Sequence, residues 1–167
     1  MKRNLNQSKF YIFIFSILLA FSCTQQPKPF NLVLLPDTQV YSRMYPEIFR
    51  VQTEWIVQNA DSITFVLHQG DITDHNNDEQ WQNAVAALSV MDGIVPYPFV
   101  PGNHDLGPGG SARTRDATLL NQYLPYSRYS EMDHFGAAFE VGSMENTYHT
   151  FRAGGFDWLI LSLEFGT

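Results

Sequence analysis

Three short polar clusters follow apolar runs in the first part of the chain. Asp37-Thr38-Gln39 follows the first run, residues 68–74 (H-Q-G-D-I-T-D) follow the second, and Gly102-Asn103-His104-Asp105 follows the third. Carboxylates, amides and imidazoles are the groups that bind divalent cations and transfer protons. Two such ions about 3.5–4 Å apart can hold the attacking and leaving oxygens of a phosphoryl transfer. If the three clusters meet, the sequence predicts a metal site that performs this chemistry.

The elements before the clusters are predicted to be short strands separated by helices. Apolar runs at 30–37, 63–68 and 97–100 read as strands, and helical spacing of apolar residues begins at Pro46 and again near Trp81. The order β-α-β-α-β predicts a parallel sheet covered by helices. Ligand sites in such sheets lie beyond the carboxyl ends of the strands. The three clusters are therefore expected at one edge of one sheet.

The rest of the chain is less regular. We expect a helix over residues 113–124, a hairpin that pairs residues 139–141 with residues 148–151, and a buried strand over residues 156–165. The loop at 106–111 (L-G-P-G-G-S) is predicted to form a rim of the site. His68 is predicted to lie in the core or to support the site without binding a metal. The three tryptophans are predicted to pack in the core: Trp55, Trp81 and Trp158.

Composition limits the classes of function. The chain has 167 residues and a formal net charge of −7, which fits one domain or part of one. Three basic residues and no acids lie within residues 1–22, so the remainder carries a net charge of −10. A body this acidic lacks the basic surface that nucleic-acid binding requires. A surface rich in acids is better suited to cations.

The N-terminus is predicted to be an export signal. Basic residues precede a 12-residue apolar stretch at 10–21, which is shorter than the roughly 20 residues that span a bilayer. The segment L-A-F-S-C then resembles a bacterial lipoprotein signal, with residues 1–22 removed, Cys23 lipidated and residues 23–29 acting as a tether. An ordinary cleaved signal with an unmodified Cys23 is the alternative. We expect an exported protein, anchored to a membrane in the periplasm or at the cell surface.

The motifs D-T-Q, G-D-I-T-D and G-N-H-D, in this order, resemble the calcineurin-like metallophosphoesterases. That family shows D-x-H, G-D-x-x-D and G-N-H-[ED], followed by a later His and a G-H-x-H. The resemblance covers residues 30–165 and implies an α/β sandwich fold. It also implies two divalent metal ions (Mn, Fe, Zn or Mg) and a phosphoester substrate attacked by a metal-activated water.

The resemblance assigns roles to individual residues. Asp37 and Gln39 would bind the first metal ion, and Asp71 would bridge both ions. Asn103 would bind the second ion. His104 would contact the phosphate or protonate the leaving group. Either Asp105 or Asp74 would orient the His104 ring.

Two departures from the family pattern stand out. Gln39 replaces the usual histidine, as in a D-T-Q variant subgroup. His134 and His149 precede the strand at 156–165, whereas the family's later histidines follow it. We therefore expect residues 30–167 to be an incomplete phosphoesterase domain that lacks its C-terminal part. The leading hypothesis is a metal-dependent phosphoester hydrolase, within which a nuclease stays open. The alternative is a non-catalytic surface lipoprotein that keeps the fold to bind a ligand or partner.

Overall fold

The computed structural model describes residues 28–165, so the predicted signal, Cys23 and most of the tether lie outside the described residues. Two sheets and five helices make up this part of the chain. The strands are β1 (Asn31–Leu35), β2 (Ile63–His68), β3 (Phe135–Ala138), β4 (Thr147–Ala153) and β5 (Phe156–Ser162). The helices are α1 (Gln39–Met44), α2 (Pro46–Gln58), α3 (Asp78–Leu88), α4 (Thr118–Tyr123) and α5 (Tyr126–Tyr129). The fold is thus of the mixed α/β class, as predicted.

The parallel sheet positions the polar clusters. β1 and β2 pair in parallel, with Leu35 opposite His68 at their carboxyl ends. Beyond β2, the predicted third strand lies beside it: the Pro96 and Pro98 carbonyls accept hydrogen bonds from Val66 and His68 (2.9 and 3.1 Å). Proline has no N–H to return such bonds. The segment 97–100 therefore occupies the place of a strand without forming a full ladder.

Two layers cover β2. On one face, a core of apolar side chains joins the sheet to the helices: Leu35, Phe49, Ile56, Ile63, Val66, Trp81, Ala84 and Leu88. On the other face, Phe65 stacks on Phe151 of β4, with ring centroids 4.4 Å apart. Alternate residues of a strand point to opposite faces, so neighbouring Phe65 and Val66 serve different layers. β3, β4 and β5 form the antiparallel sheet on the Phe65 side.

Helix boundaries follow local hydrogen bonds. α2 begins at Pro46, where proline is tolerated at a first helical position. α3 begins at Asp78 because the Asn77 side chain accepts a hydrogen bond from Gln80 N (3.0 Å). No helix among residues 28–165 combines the length and the apolar character needed to cross a membrane.

Several expectations for the later elements were wrong. The helix expected over 113–124 spans only Thr118–Tyr123, because Arg115 has a positive φ of 54° and Asp116 accepts a hydrogen bond from Thr118 N. The hairpin uses β3 at Phe135–Ala138, four residues before the predicted start. Phe139 instead enters a turn, where Ser143 N donates to the Glu140 carbonyl.

The burial expected for two tryptophans and the last strand was also wrong. Trp81 is fully buried, whereas Trp55 and Trp158 are 55% and 37% exposed. On β5, Leu159 and Leu161 are 59% and 60% exposed. Trp158 stacks on Phe151, with ring centroids 6.1 Å apart, whereas the two leucines are exposed although they belong to the same strand.

Candidate active site

Three loops converge at the carboxyl edge of the parallel sheet. Thr38 N, in the loop after β1, donates a hydrogen bond to the Asp71 carbonyl in the loop after β2 (3.0 Å). His104 N, in the loop after segment 97–100, donates to Asp71 Oδ1 (3.0 Å). All three predicted clusters are therefore joined through Asp71.

The backbone around Asp71 is tightly constrained. Asp71 has a φ of +48°, which is unfavourable for a residue with a Cβ and typical of positions that serve a function. Gly102 packs against it so closely that a Cβ at Gly102 would lie 2.0 Å from Asp71 Oδ1. Gly70 (φ +88°) would likewise bring a Cβ to 2.7 Å from Gly102 N. The two glycines allow the carboxylate to reach the edge of the sheet.

Asp37 and Gln39 form a local pair at the end of β1. Gln39 N donates to Asp37 Oδ1 (3.1 Å), and Gln39 Nε2 donates to Asp37 Oδ2 (2.8 Å). Asp37 is exposed and Gln39 is half-buried at the start of α1. The Gln39 amide thus contacts the Asp37 carboxylate. Gln39 stands where the family pattern has a histidine.

His104 has a defined orientation. Its Nδ1 lies 2.8 Å from the Asp74 carbonyl, which can only accept, so Nδ1 carries the proton and donates. The same nitrogen lies 3.4 Å from Asp74 Oδ1. The ring is half-buried. In this tautomer Nε2 is the acceptor nitrogen.

Asp74 lies beside one arginine and two histidines. Its carboxylate forms an ion pair with Arg43 from α1 and contacts the His104 ring, and His75 Nε2 lies 3.6 Å away. The Asp74 side chain is only 11% exposed. A carboxylate this enclosed needs these partners to offset the loss of hydration.

Asp105 is a buried carboxylate that accepts hydrogen bonds from two loops. It is fully buried, and its oxygens accept hydrogen bonds from Ile72 N (3.0 Å), Thr73 N (2.7 Å), Thr73 Oγ1 (3.0 Å) and Gly102 N (2.9 Å). Burial raises the pKa of Asp105 to about 6, and these hydrogen bonds act in the opposite direction. Asp105 therefore ties two loops together, and Asp74 is the carboxylate that contacts the His104 ring.

His68 is a buried link below the site. Gly70 N donates to its Nδ1 (3.2 Å), so Nε2 carries the proton and donates to Thr38 Oγ1 (3.0 Å). Burial lowers the pKa of His68 to about 4, against the opposing effect of Asp37, so the ring is neutral. With both nitrogens occupied, His68 supports the loops, as its sequence context predicts.

The other predicted features lie in distinct places. Gly110, in the loop at 106–111, packs near the Asp74 and His104 carbonyls, so this loop does border the site. His134 and His149 stack on each other in the core between the two sheets, with ring centroids 5.4 Å apart. Their surroundings are aromatic, including Phe65 and Phe135.

The donor set at the sheet edge suits hard divalent ions. Asp37 and Asp71 offer carboxylates, and Gln39 at the start of α1 and Asn103 offer amide groups, on segments that hydrogen bonds hold together. Mn²⁺ and Mg²⁺ prefer such oxygen ligands. Within residues 28–165, no three His, Cys, Asp or Glu side chains already stand in a ligating cluster. Further ligands would come from water, substrate or donors outside the described residues.

Comparison with known proteins gives the family. The model described as calcineurin-like phosphoesterase matches residues 30–163. The chain belongs to the calcineurin-like phosphoesterase family. The chain is also 34% identical to the uncharacterized protein YvnB of Bacillus subtilis (strain 168) over 142 residues, which are 82% of this chain and 10% of that protein. It thus spans about a tenth of that relative's length.

A solved structure is also similar. Purple acid phosphatase PPD1 from yellow lupin (Lupinus luteus) seeds aligns with a TM-score of 0.48 and 18% sequence identity. The alignment covers 80% of this chain and 24% of the lupin chain.

Sequence reasoning leaves the role of one residue at this edge open. Arg43 reads as either a phosphate contact or a plain surface residue when the chain is considered alone. Helix α1, which was not predicted, carries it to Asp74. The available signal was its spacing of four from Gln39, which places both residues on one helix face.

Proposed function

We propose that this phosphoesterase-family chain carries the metal-binding loops of a metal-dependent phosphoester hydrolase. Asp37, Gln39, Asp71 and Asn103 would hold one or two divalent ions. Such ions lower the pKa of bound water and neutralise charge on a phosphoryl oxygen. The observation that carries the proposal is the position of Asp71 between the other two clusters. Its carboxylate accepts a hydrogen bond from His104 N, and its backbone carbonyl accepts one from Thr38 N.

The protein's own groups would do the remaining work. His104, whose Nδ1 donates to the Asp74 carbonyl, would direct Nε2 toward the phosphate or the leaving-group oxygen. When the ring is protonated at both nitrogens, transfer of the Nε2 proton to the leaving oxygen would assist departure of the alcohol and leave the neutral Nδ1–H ring. Asp74 would keep the ring in this orientation, as carboxylates beside functional imidazoles commonly do.

The test uses the protein expressed from its complete gene. The wild type is expected to hydrolyse 4-nitrophenyl phosphate when Mn²⁺ is supplied, and Asp71→Ala is expected to abolish turnover. Asp61→Ala is the matched control, because Asp61 is exposed in the turn before β2, at the opposite end of that strand. Full activity in the Asp71 variant would overturn the assignment.

A second function, ligand or partner binding without catalysis, is favoured by one observation. Gln39 occupies the position where the family pattern has a histidine, and its side chain donates a hydrogen bond to Asp37. Under this hypothesis the purified protein carries no metal and its thermal unfolding is insensitive to a chelator. The hydrolase predicts bound divalent metal and a chelator-dependent decrease in Tm.

For localisation, we propose an exported protein anchored through a lipid on Cys23, on the basis of the apolar stretch and L-A-F-S-C segment. Cells fed a labelled fatty acid should label the wild type and fail to label Cys23→Ser. Equal labelling of both proteins would contradict the anchor.

A further inference from the structure

Arg43 and His104 share one carboxylate. Asp74 Oδ2 forms the ion pair with Arg43 Nη1, while Asp74 Oδ1 lies 3.4 Å from His104 Nδ1. The guanidinium on α1 and the imidazole after segment 97–100 are therefore fixed relative to each other, although they lie 61 positions apart in the sequence.

Arg43 has hydrogen-bonding capacity to spare. A guanidinium has five N–H donors in a planar fork. Besides the Asp74 contact, the one contact of this group among residues 28–165 is weak, from Nη2 to Met44 Sδ at 3.5 Å. The Arg43 side chain is 38% exposed, whereas the carboxylate that it binds is 11% exposed. The guanidinium can therefore keep its ion pair and still donate to an anion.

The charge of the site calls for such a group. Asp37, Asp71 and Asp74 contribute three carboxylates to this edge of the sheet. A phosphomonoester dianion has three terminal oxygens, and a guanidinium beside these carboxylates offers it N–H donors and positive charge in addition to any metal ions. Arginine matches phosphate oxygens with two parallel N–H donors.

The position of α1 does not depend on Arg43. Ser42 Oγ donates to the Ile72 carbonyl (2.6 Å), and Asn83 Nδ2 donates to the Ser42 carbonyl (2.9 Å). These buried contacts attach the helix to the loop after β2 and to α3. Replacement of Arg43 should therefore leave α1 in place, although Asp74 loses its ion pair and some stability is lost. The phosphate Kd separates a role in binding from this structural effect.

We propose that Arg43 binds a non-bridging oxygen of the phosphoryl group, with Asp74 holding Arg43 and His104 around the same phosphate, so that the site selects phosphomonoesters over diesters. This inference rests on the proposed phosphoester hydrolase function. A diester carries one negative charge and one fewer terminal oxygen, so it gains less from the guanidinium.

The experiment compares Arg43→Gln and Arg43→Lys with the wild type, in Mn²⁺. KM and kcat are measured for 4-nitrophenyl phosphate and bis(4-nitrophenyl) phosphate, and Kd for inorganic phosphate is measured by calorimetry. Arg43→Gln is expected to raise the monoester KM and the phosphate Kd by about tenfold or more, with less than about threefold change for the diester. Arg43→Lys should recover part of the loss.

The control is Arg50→Gln, because Arg50 is an exposed helical arginine paired with Glu54 and lies outside the site. This variant should match the wild type in every constant. A fall in kcat for both substrates together with Tm, at unchanged phosphate Kd, would show a merely structural Arg43 and overturn the inference.

Phosphate binding separates this inference from the proposed function. A wild type without turnover that still binds phosphate through Arg43 would refute the hydrolase and support the inference. A hydrolytic wild type whose Arg43→Gln variant binds phosphate with unchanged Kd would refute the inference and leave the hydrolase standing.

Discussion

The backbone N–H of His104 donates a hydrogen bond to Asp71 Oδ1 over 3.0 Å. This single contact joins the loop after β2 to the loop after segment 97–100. It also orients one oxygen of a carboxylate whose own backbone is strained, with a φ of +48°. The proposed site depends on this hydrogen bond, and substitutions at neighbouring residues can test that dependence.

Gly102→Ala should damage the junction. The new Cβ would meet Asp71 Oδ1 at 2.0 Å and Asp71 N at 2.3 Å, so the carboxylate would have to move. We expect a loss of about 2–3 kcal/mol in the free energy of unfolding and loss of metal binding, measured by urea denaturation and metal titration.

Gly93→Ala is the matched control for this change. Gly93 has a φ of +67° but no atom within 4 Å of its added Cβ. It should lose about 1 kcal/mol from backbone strain and retain metal binding. If Gly102→Ala behaved like this control, close packing at Asp71 would not matter.

Asp105→Asn should destabilise the protein without affecting any ring orientation. An amide presents two N–H donors to a site where four donors already converge on the carboxylate. We expect a loss of about 2–4 kcal/mol in the free energy of unfolding, measured in urea. The exposed Asp61→Asn change should cost less than about 0.5 kcal/mol. Equal stabilities of the two variants would show that Asp105 does not tie the loops.

His104→Gln tests proton delivery. If Nε2 protonates the leaving oxygen, kcat should fall by roughly 10²–10⁴-fold for an alkyl phosphate. The fall should be smaller for 4-nitrophenyl phosphate, whose leaving group departs with little need of a proton. Steady-state kinetics with both esters give the comparison. An identical fall for the two esters would leave His104 a binding role alone.

The protein should lose stability in mild acid through His149. Burial lowers the pKa of His149 to about 4, and the stacked His134 acts in the same direction. The unfolded ring binds a proton near pH 6.5, so the folded state is stabilised above that pH and loses this contribution as pH falls from about 6.5 to about 4. The contribution is on the order of 3 kcal/mol.

Denaturation in urea across this pH range checks the assignment. His149→Phe should reduce the slope of unfolding free energy against pH. Phe151→Leu, a change at a neighbouring core position that does not titrate, should lower stability and keep the slope. A wild-type slope in His149→Phe would assign the acid sensitivity to other groups.

The sequence predicted the convergence of the three polar clusters better than the later elements. Helical periodicity gave α2 and α3, and apolar runs gave β1 and β2, so the three clusters were placed at one edge. Local patterns could not foresee α1, because it has only six residues and begins at Gln39, inside the D-T-Q motif. The contact between Arg43 and Asp74 depends on how α1 packs in the folded chain, which local sequence patterns do not show.

Burial was harder to predict than element type. Trp55 lies on one helical face with Ile48 and Val51, seven and four residues before it, and all three side chains are exposed, whereas Phe49 and Ile56 face the core. The apolar pattern shows which residues share a face but not how far the covering layer extends. The start of β3 was missed because Phe139 and Val141 look like strand residues, whereas the turn after Ala138 leaves both of them exposed.

Metal dependence tests the central claim most directly. The protein from the complete gene would be stripped with a chelator, assayed on 4-nitrophenyl phosphate, and assayed again after Mn²⁺ is restored, with bound metal counted in parallel. We predict that activity vanishes when the metal is removed and returns when Mn²⁺ is restored. The Asp71→Ala variant should regain neither activity nor bound metal. Undiminished hydrolysis after complete removal of metal, or metal binding unaffected by Asp71→Ala, would contradict the account.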